Sequence, residues 1–67
     1  MLKIESEREQ DGRWIAEIPA LPGVMAYGST EAEARAKITA LALRVIADRV
    51  ENNEPLPREI AGFFEAA

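Results

Sequence analysis

Glu5, Glu7 and Glu9 alternate with Ser6 and Arg8. On a strand, that spacing projects three carboxylates from one face. Convergent oxygens are what a hard divalent cation requires, so metal-assisted hydrolysis is the chemistry this pattern could serve. A solvated strand face produces the same spacing with no metal, and it is the simpler reading. The hydroxyls of Ser6, Ser29, Thr30 and Thr39 have no partner base, because the chain contains neither histidine nor cysteine. An imidazole base, an imidazole metal ligand, a thiol nucleophile and a disulfide framework are all excluded. Gly23 and Gly28 lack the spacing of a phosphate loop and suit a turn and a helix entry. Trp14 and Tyr27 could stack on bases, but without a basic surround they read as core or protein-interface aromatics. No catalytic residue, metal site or cofactor is expected, and the sequence does not read as an enzyme.

Charge points the same way. The net charge is −4, from 8 Lys and Arg against 12 Asp and Glu. It is spread over both halves, so no segment forms the basic patch that nucleic-acid binding needs. An acidic surface instead suits a basic partner. The 67 residues form one domain, 1–67, and 48% are hydrophobic, too apolar for disorder. No run approaches the ~18 apolar residues of a membrane span, and no leader is apparent. A domain this small buries only ~60% of its unfolded surface and often gains from self-association.

The stretch from Ile18 to Ala34 positions the rest. Pro19 has no N–H to give a ladder and belongs at a strand end or edge. Pro22-Gly23 is the pair a type II turn requires, with φ preset at Pro and positive at Gly. Val24–Tyr27 is a short strand closed by Gly28. Thr30 and Glu33 have capping-box spacing, which starts a helix at Glu31. Upstream, Met1–Ser6 alternates Leu2 and Ile4 with Lys3 and Glu5, a half-buried strand. Asp11-Gly12 is a hairpin signal. Arg13–Ile18 is the second strand, with Trp14, Ala16 and Ile18 on one face and Arg13, Ile15 and Glu17 on the other. One face should meet the helix and the other should be partly covered by a partner.

The helix is expected from Glu31 to about Asn53, where Asn52-Asn53 ends it and Pro55 and Pro57 prevent continuation. Ala34, Ile38, Leu41, Ala42 and Val45 form its sheet-facing stripe. Glu33, Lys37, Arg44, Asp48 and Glu51 form a charged stripe. Ala32, Ala36, Leu43, Ala47 and Val50 lie well away from the first group. The apolar arc is too wide for a helix that covers one sheet, so the tail or another subunit should cover it. Ile60 with Phe63 or Phe64 fits a helical turn, and an edge strand fits the same residues.

Residues Asp11 to Gly23 (Asp-Gly-Arg-Trp-Ile-Ala-Glu-Ile-Pro-Ala-Leu-Pro-Gly), then Tyr27-Gly28-Ser29-Thr30, then Glu33-Ala34, resemble the HicB-like antitoxin domain. Its pattern is Asp-Gly-x-aromatic-x-x-x-x-Pro-x-Leu-Pro-Gly, then Gly-Asp-Thr and a helix-opening Glu-Ala. Ser29 replaces the usual Asp, and Pro55-Leu56-Pro57 matches the usual ending. The resemblance implies a β-β-β-α(-β), truncated RNase H-like fold without the catalytic carboxylates. It also implies a cytoplasmic domain, commonly a homodimer or homotetramer, that occludes a small basic mRNA-cleaving toxin of the HicA type. Many relatives continue into a helix-turn-helix or ribbon-helix-helix domain. Ten residues after Pro57 are too few for either, so DNA-binding autoregulation is not expected.

The expected fold class is therefore α+β: a three- or four-stranded antiparallel sheet with one long helix packed on one face. The expected function is toxin neutralisation, with Trp14, Ile15, Glu17, Met25 and Tyr27 as partner-binding residues. The alternatives are a self-associating domain without a toxin and a weak metal-dependent hydrolase using the Glu5, Glu7 and Glu9 face.

Overall fold

The computed structural model describes residues 2–62. Its elements are β1 (Glu5–Arg8), β2 (Trp14–Glu17), β3 (Met25–Gly28), α1 (Glu31–Glu51) and α2 (Arg58–Ala61). The strands form an antiparallel sheet in the order β1-β2-β3, and α1 packs across it, as expected for the α+β class. Among the described residues the sheet has three strands, and no helix is long and apolar enough to cross a membrane.

The first hairpin moves β1 from its expected place. Gly12 donates its N–H to the Glu9 carbonyl at 3.0 Å and Glu9 donates to the Arg13 carbonyl at 2.7 Å. Gly12 sits at φ 92, so the Asp-Gly pair closes a longer turn with a left-handed glycine rather than forming a two-residue loop. Arg8 therefore pairs with Trp14 and Glu5 with Glu17. The ladder to β1 stops there: the Ile18 N–H faces β3, reaching the Val24 carbonyl at 3.5 Å, and Pro19, the next residue whose N–H would face β1, has none to give. The expected strand Met1–Ser6 is thus corrected to Glu5–Arg8. Leu2 and Ile4 precede it and pack half-buried against the core.

The β2–β3 connection contains more core than its proline content suggests. Leu21 donates to the Ile18 carbonyl at 2.8 Å and Val24 donates to the Leu21 carbonyl at 3.0 Å. Two tight turns thus follow one another, each with proline second, and Gly23 takes φ 86 in the second. Leu21, between the turns, is fully buried, and with Ile38 it is the largest fully buried side chain.

Helix α1 begins at Glu31 as expected. The Glu33 N–H donates to Thr30 Oγ1 at 3.1 Å, and Glu33 Oε1 accepts the Ser29 N–H at 3.3 Å, one residue before the cap. The helix ends through a Schellman motif. Asn53 adopts φ 56, its N–H reaches the Val50 carbonyl at 3.2 Å, and the Glu54 N–H reaches the Arg49 carbonyl at 2.8 Å. Ala34, Ile38 and Ala42 are buried, with Leu41 and Val45 packed beside them. Gly28 permits close approach: a Cβ there would lie 2.5 Å from the Ala34 nitrogen. Between the two expected forms of the tail the structure selects a helical turn, α2, with Ile60 buried. Phe63 and Phe64 lie outside the described residues.

Candidate functional site

Antiparallel pairing puts directly opposed residues on one face of a sheet. The register therefore builds two rows on the side away from α1: Glu7–Ile15–Tyr27 and Glu5–Glu17–Met25. Ser6, Arg8, Trp14, Ala16, Ala26 and Gly28 occupy the helix side. Of the five expected partner-binding residues, Ile15, Glu17, Met25 and Tyr27 thus share the outer face. Trp14 is on the opposite face, half-buried against the core. The alternation within β2 already separated Trp14 from its neighbours in the sequence.

The outer face has an apolar centre and an acidic side. Ile15 is half-buried, while Met25 and Tyr27 are 44% and 40% exposed. Glu5, Glu7, Glu9, Ile15 and Glu17 border a shallow depression of about 250 Å³. Glu5 directly opposes Glu17, an arrangement of like charges that weakens a strand pair. The Arg13 guanidinium supplies the nearby positive charge, stacked 4.5 Å from the centre of the Tyr27 ring. Its Nε also donates to Asp11 Oδ2 at 2.8 Å. The Arg13 backbone N–H donates to Asp11 Oδ1 at 3.0 Å. This backbone bond is the main reason that the Asp11 pKa is lowered, with the Arg13 side chain adding to it. The guanidinium is thus partly committed, and the Glu5–Glu17 side keeps a surplus of negative charge.

The glutamate triplet does not converge. Same-face neighbours on a strand are separated by two residue rises, ~6.8 Å. Among the described residues, no three carboxylates gather as a metal ion would need. Ser6, between them, points to the helix side. Its hydroxyl donates to Glu31 Oε2 at 2.6 Å and accepts from Arg35 Nη2 at 3.2 Å, which ties β1 to the start of α1. Thr30 is occupied by the cap, and Thr39 donates to the Arg35 carbonyl at 2.8 Å. Among the described residues, no buried side-chain polar atom lacks a hydrogen-bond partner. What this face offers chemically is an apolar contact surface with a carboxylate margin.

The UPF0150 protein Ta0767 of Thermoplasma acidophilum is 33% identical to the chain over 54 residues, covering 81% of this chain and 78% of that protein. No protein-family model matches the chain, and no solved structure matches it significantly.

Proposed function

The chain belongs to the UPF0150 family, and from that premise we propose that it is an antitoxin-like module of the HicB type that binds and occludes a small basic mRNA-cleaving toxin. The observation that carries this reading is the outer sheet face, where an apolar centre at Ile15, Met25 and Tyr27 adjoins Glu5, Glu7 and Glu17. Apolar anchors inside a charged rim are the usual anatomy of a protein interface. Glu5 and Glu17 oppose each other in the free protein. A cationic partner would relieve that repulsion on docking, giving both steering and specificity. The β-β-β-α order agrees with the truncated RNase H-like arrangement that the HicB resemblance implies. Inhibition here is steric and electrostatic: the face covers a basic catalytic surface and no bond is made or broken. The site proposed is Ile15, Glu17, Met25 and Tyr27, with Glu5 and Glu7 added from the register.

The test takes a small basic protein encoded beside this chain, if the neighbouring reading frame supplies one, as the partner in an RNA-cleavage assay. Stoichiometric addition of the chain is expected to suppress cleavage, and Glu7→Lys combined with Glu17→Lys is expected to abolish that suppression. Undiminished cleavage with the chain in excess would overturn the reading, as would full suppression by the charge-reversed variant. The lack of any adjacent basic protein would move the reading to self-association alone. Cleavage by this chain alone, dependent on Mg²⁺ or Mn²⁺ and removed by Glu5→Gln with Glu7→Gln, would establish the hydrolase instead.

A further inference from the structure

We propose that the outer edge of β1 grips an extended segment of the partner, a strand with Lys or Arg at every second position, which adds antiparallel to Glu5–Arg8. This deepens the antitoxin reading, on which it rests for the partner's basic character, by naming the part of the partner that is held.

The register fixes which backbone groups of β1 are open. Hydrogen-bonded and non-hydrogen-bonded pairs alternate along an antiparallel ladder. The Glu9 N–H donates to the Arg13 carbonyl at 2.7 Å, so Glu9 turns its backbone toward β2, and at the same phase so do Glu7 and Glu5. The Ile18 N–H reaches the Val24 carbonyl on the other side of β2, which is the matching phase there. Ser6 and Arg8 therefore point their N–H and C=O groups away from β2. β1 is an edge of the sheet, and among the described residues no further strand lies beside it. A row of open backbone groups is a template for another chain. The strand is also held in place, since Ser6 Oγ bonds both Glu31 and Arg35 of α1.

The same phase decides what an added strand must carry. Its residues opposite Ser6 and Arg8 form the hydrogen-bonded pairs. Those opposite Glu5, Glu7 and Glu9 form the other kind, in which side chains stand closer, with Cα atoms ~4.5 Å apart rather than ~5.5 Å. Every second residue of the incoming strand thus meets a carboxylate on the outer face at the shorter separation. Opposite charges strengthen such a pair and like charges weaken it. The edge accordingly selects a basic strand over an acidic one. The edge at β3 differs. Met25 and Tyr27 turn their backbone groups outward there, at the phase set by Ile18 and Val24. Arg13 and Lys37, however, border the hollow beside Tyr27, and the Ser29 N–H is already taken by Glu33. A basic strand would meet cations at that edge instead of a row of carboxylates.

The experiment titrates the isotopically labelled full chain with the peptide acetyl-Lys-Val-Lys-Val-Lys-Val-amide and follows each backbone N–H by NMR. At saturation the Ser6 and Arg8 N–H groups should shift and exchange at least ~10-fold more slowly, while Met25 and Tyr27 keep their rates. Methylating the valine nitrogens keeps every charge and side chain but removes the donors to the Ser6 and Arg8 carbonyls. That peptide should bind at least ~10-fold more weakly. Arg8→Pro, which removes an N–H facing solvent at an edge, should weaken the unmethylated peptide as much and retain the fold. The methylated peptide decides the matter even where that variant does not fold. Lack of binding at ~1 mM peptide would overturn the proposal. So would equal binding of the methylated peptide, which is charge attraction alone, or protection at Met25 and Tyr27 instead. Suppressed toxin cleavage without peptide binding overturns the edge grip and spares the antitoxin reading. Peptide held at Ser6 and Arg8 without any suppression of cleavage overturns the antitoxin reading and leaves the grip standing.

Discussion

The outer face of the sheet and the outer stripe of α1 both expose apolar side chains, but they differ in where their charges lie. On the sheet, Glu5, Glu7 and Glu17 share one face with Ile15, Met25 and Tyr27, and two of the glutamates oppose each other directly. That face carries surplus negative charge beside its apolar centre, which is the ground for proposing a cation-rich partner. On the helix, Ala36, Ala40, Leu43, Ala47 and Val50 are exposed, and charge beside them is matched along the helix itself, as in the Lys37–Glu33 pair at 3.1 Å. Similar apolar exposure thus sits in two different electrostatic settings, because strand pairing opposes carboxylates on the sheet whereas i,i+4 spacing pairs opposite charges on the helix.

The largest effect expected separates the two sides of α1. Ile38→Ala should lower unfolding free energy by ~2–5 kcal/mol through lost burial and a cavity. Leu43→Ala, measured at low concentration, should stay within about 0.5 kcal/mol. Chemical denaturation of both variants checks this, and comparable losses would mean that the stripe belongs to the core. Next, Glu7→Lys with Glu17→Lys should weaken partner binding at least ~100-fold by calorimetry, equivalent to about 2.7 kcal/mol, whereas Leu43→Glu should leave it within a factor of about two. Equal loss from both variants would merge the two surfaces into one. Gly28→Ala follows, at ~1–3 kcal/mol, since its methyl must push α1 away from the sheet that carries the outer face. Thermal unfolding reads it directly.

Smaller effects sharpen the comparison at the joint between sheet and helix. Thr30→Ala should cost about 1 kcal/mol through loss of the cap to the Glu33 N–H. Glu33 has a lowered pKa, first through its bond from Lys37 and then through the Ser29 N–H, and Asp11 is lowered mainly by the Arg13 N–H. Both groups hold fewer protons when folded than when unfolded. Their contribution is present above the ordinary carboxylate range and is lost as pH falls through that range to the depressed values. Glu33→Gln and Asp11→Asn should each flatten stability against pH there, modestly, because both groups are exposed. An unchanged acid profile would remove these contacts from the account.

Local signals were legible where the chain is its own context. Thr30 with Glu33 marked the start of α1, Pro22-Gly23 marked the turn before β3, and Asn52-Asn53 marked the helix end within two residues. The sheet-facing stripe followed from period alone, as did the separation of Trp14 from Ile15. Leu21 was not legible, because two prolines around a leucine read as turn whether that side chain points in or out. The start of β1 was displaced because alternation from Leu2 to Ser6 describes side-chain faces, whereas a ladder needs a partner strand, and β2 ends at Glu17.

By itself, then, the sequence determined the order of elements through α1, the turn chemistry, the lack of imidazole and thiol side chains, and which helical residues share a side. These depend on neighbours a few residues apart and on composition. The tertiary structure alone decided that Glu5 opposes Glu17, that Ile15, Met25 and Tyr27 form one patch with them, and that Leu21 fills the core. Strand register and burial are set by contacts between residues distant in the chain, and no local pattern encodes which residue of one strand will face which residue of the next.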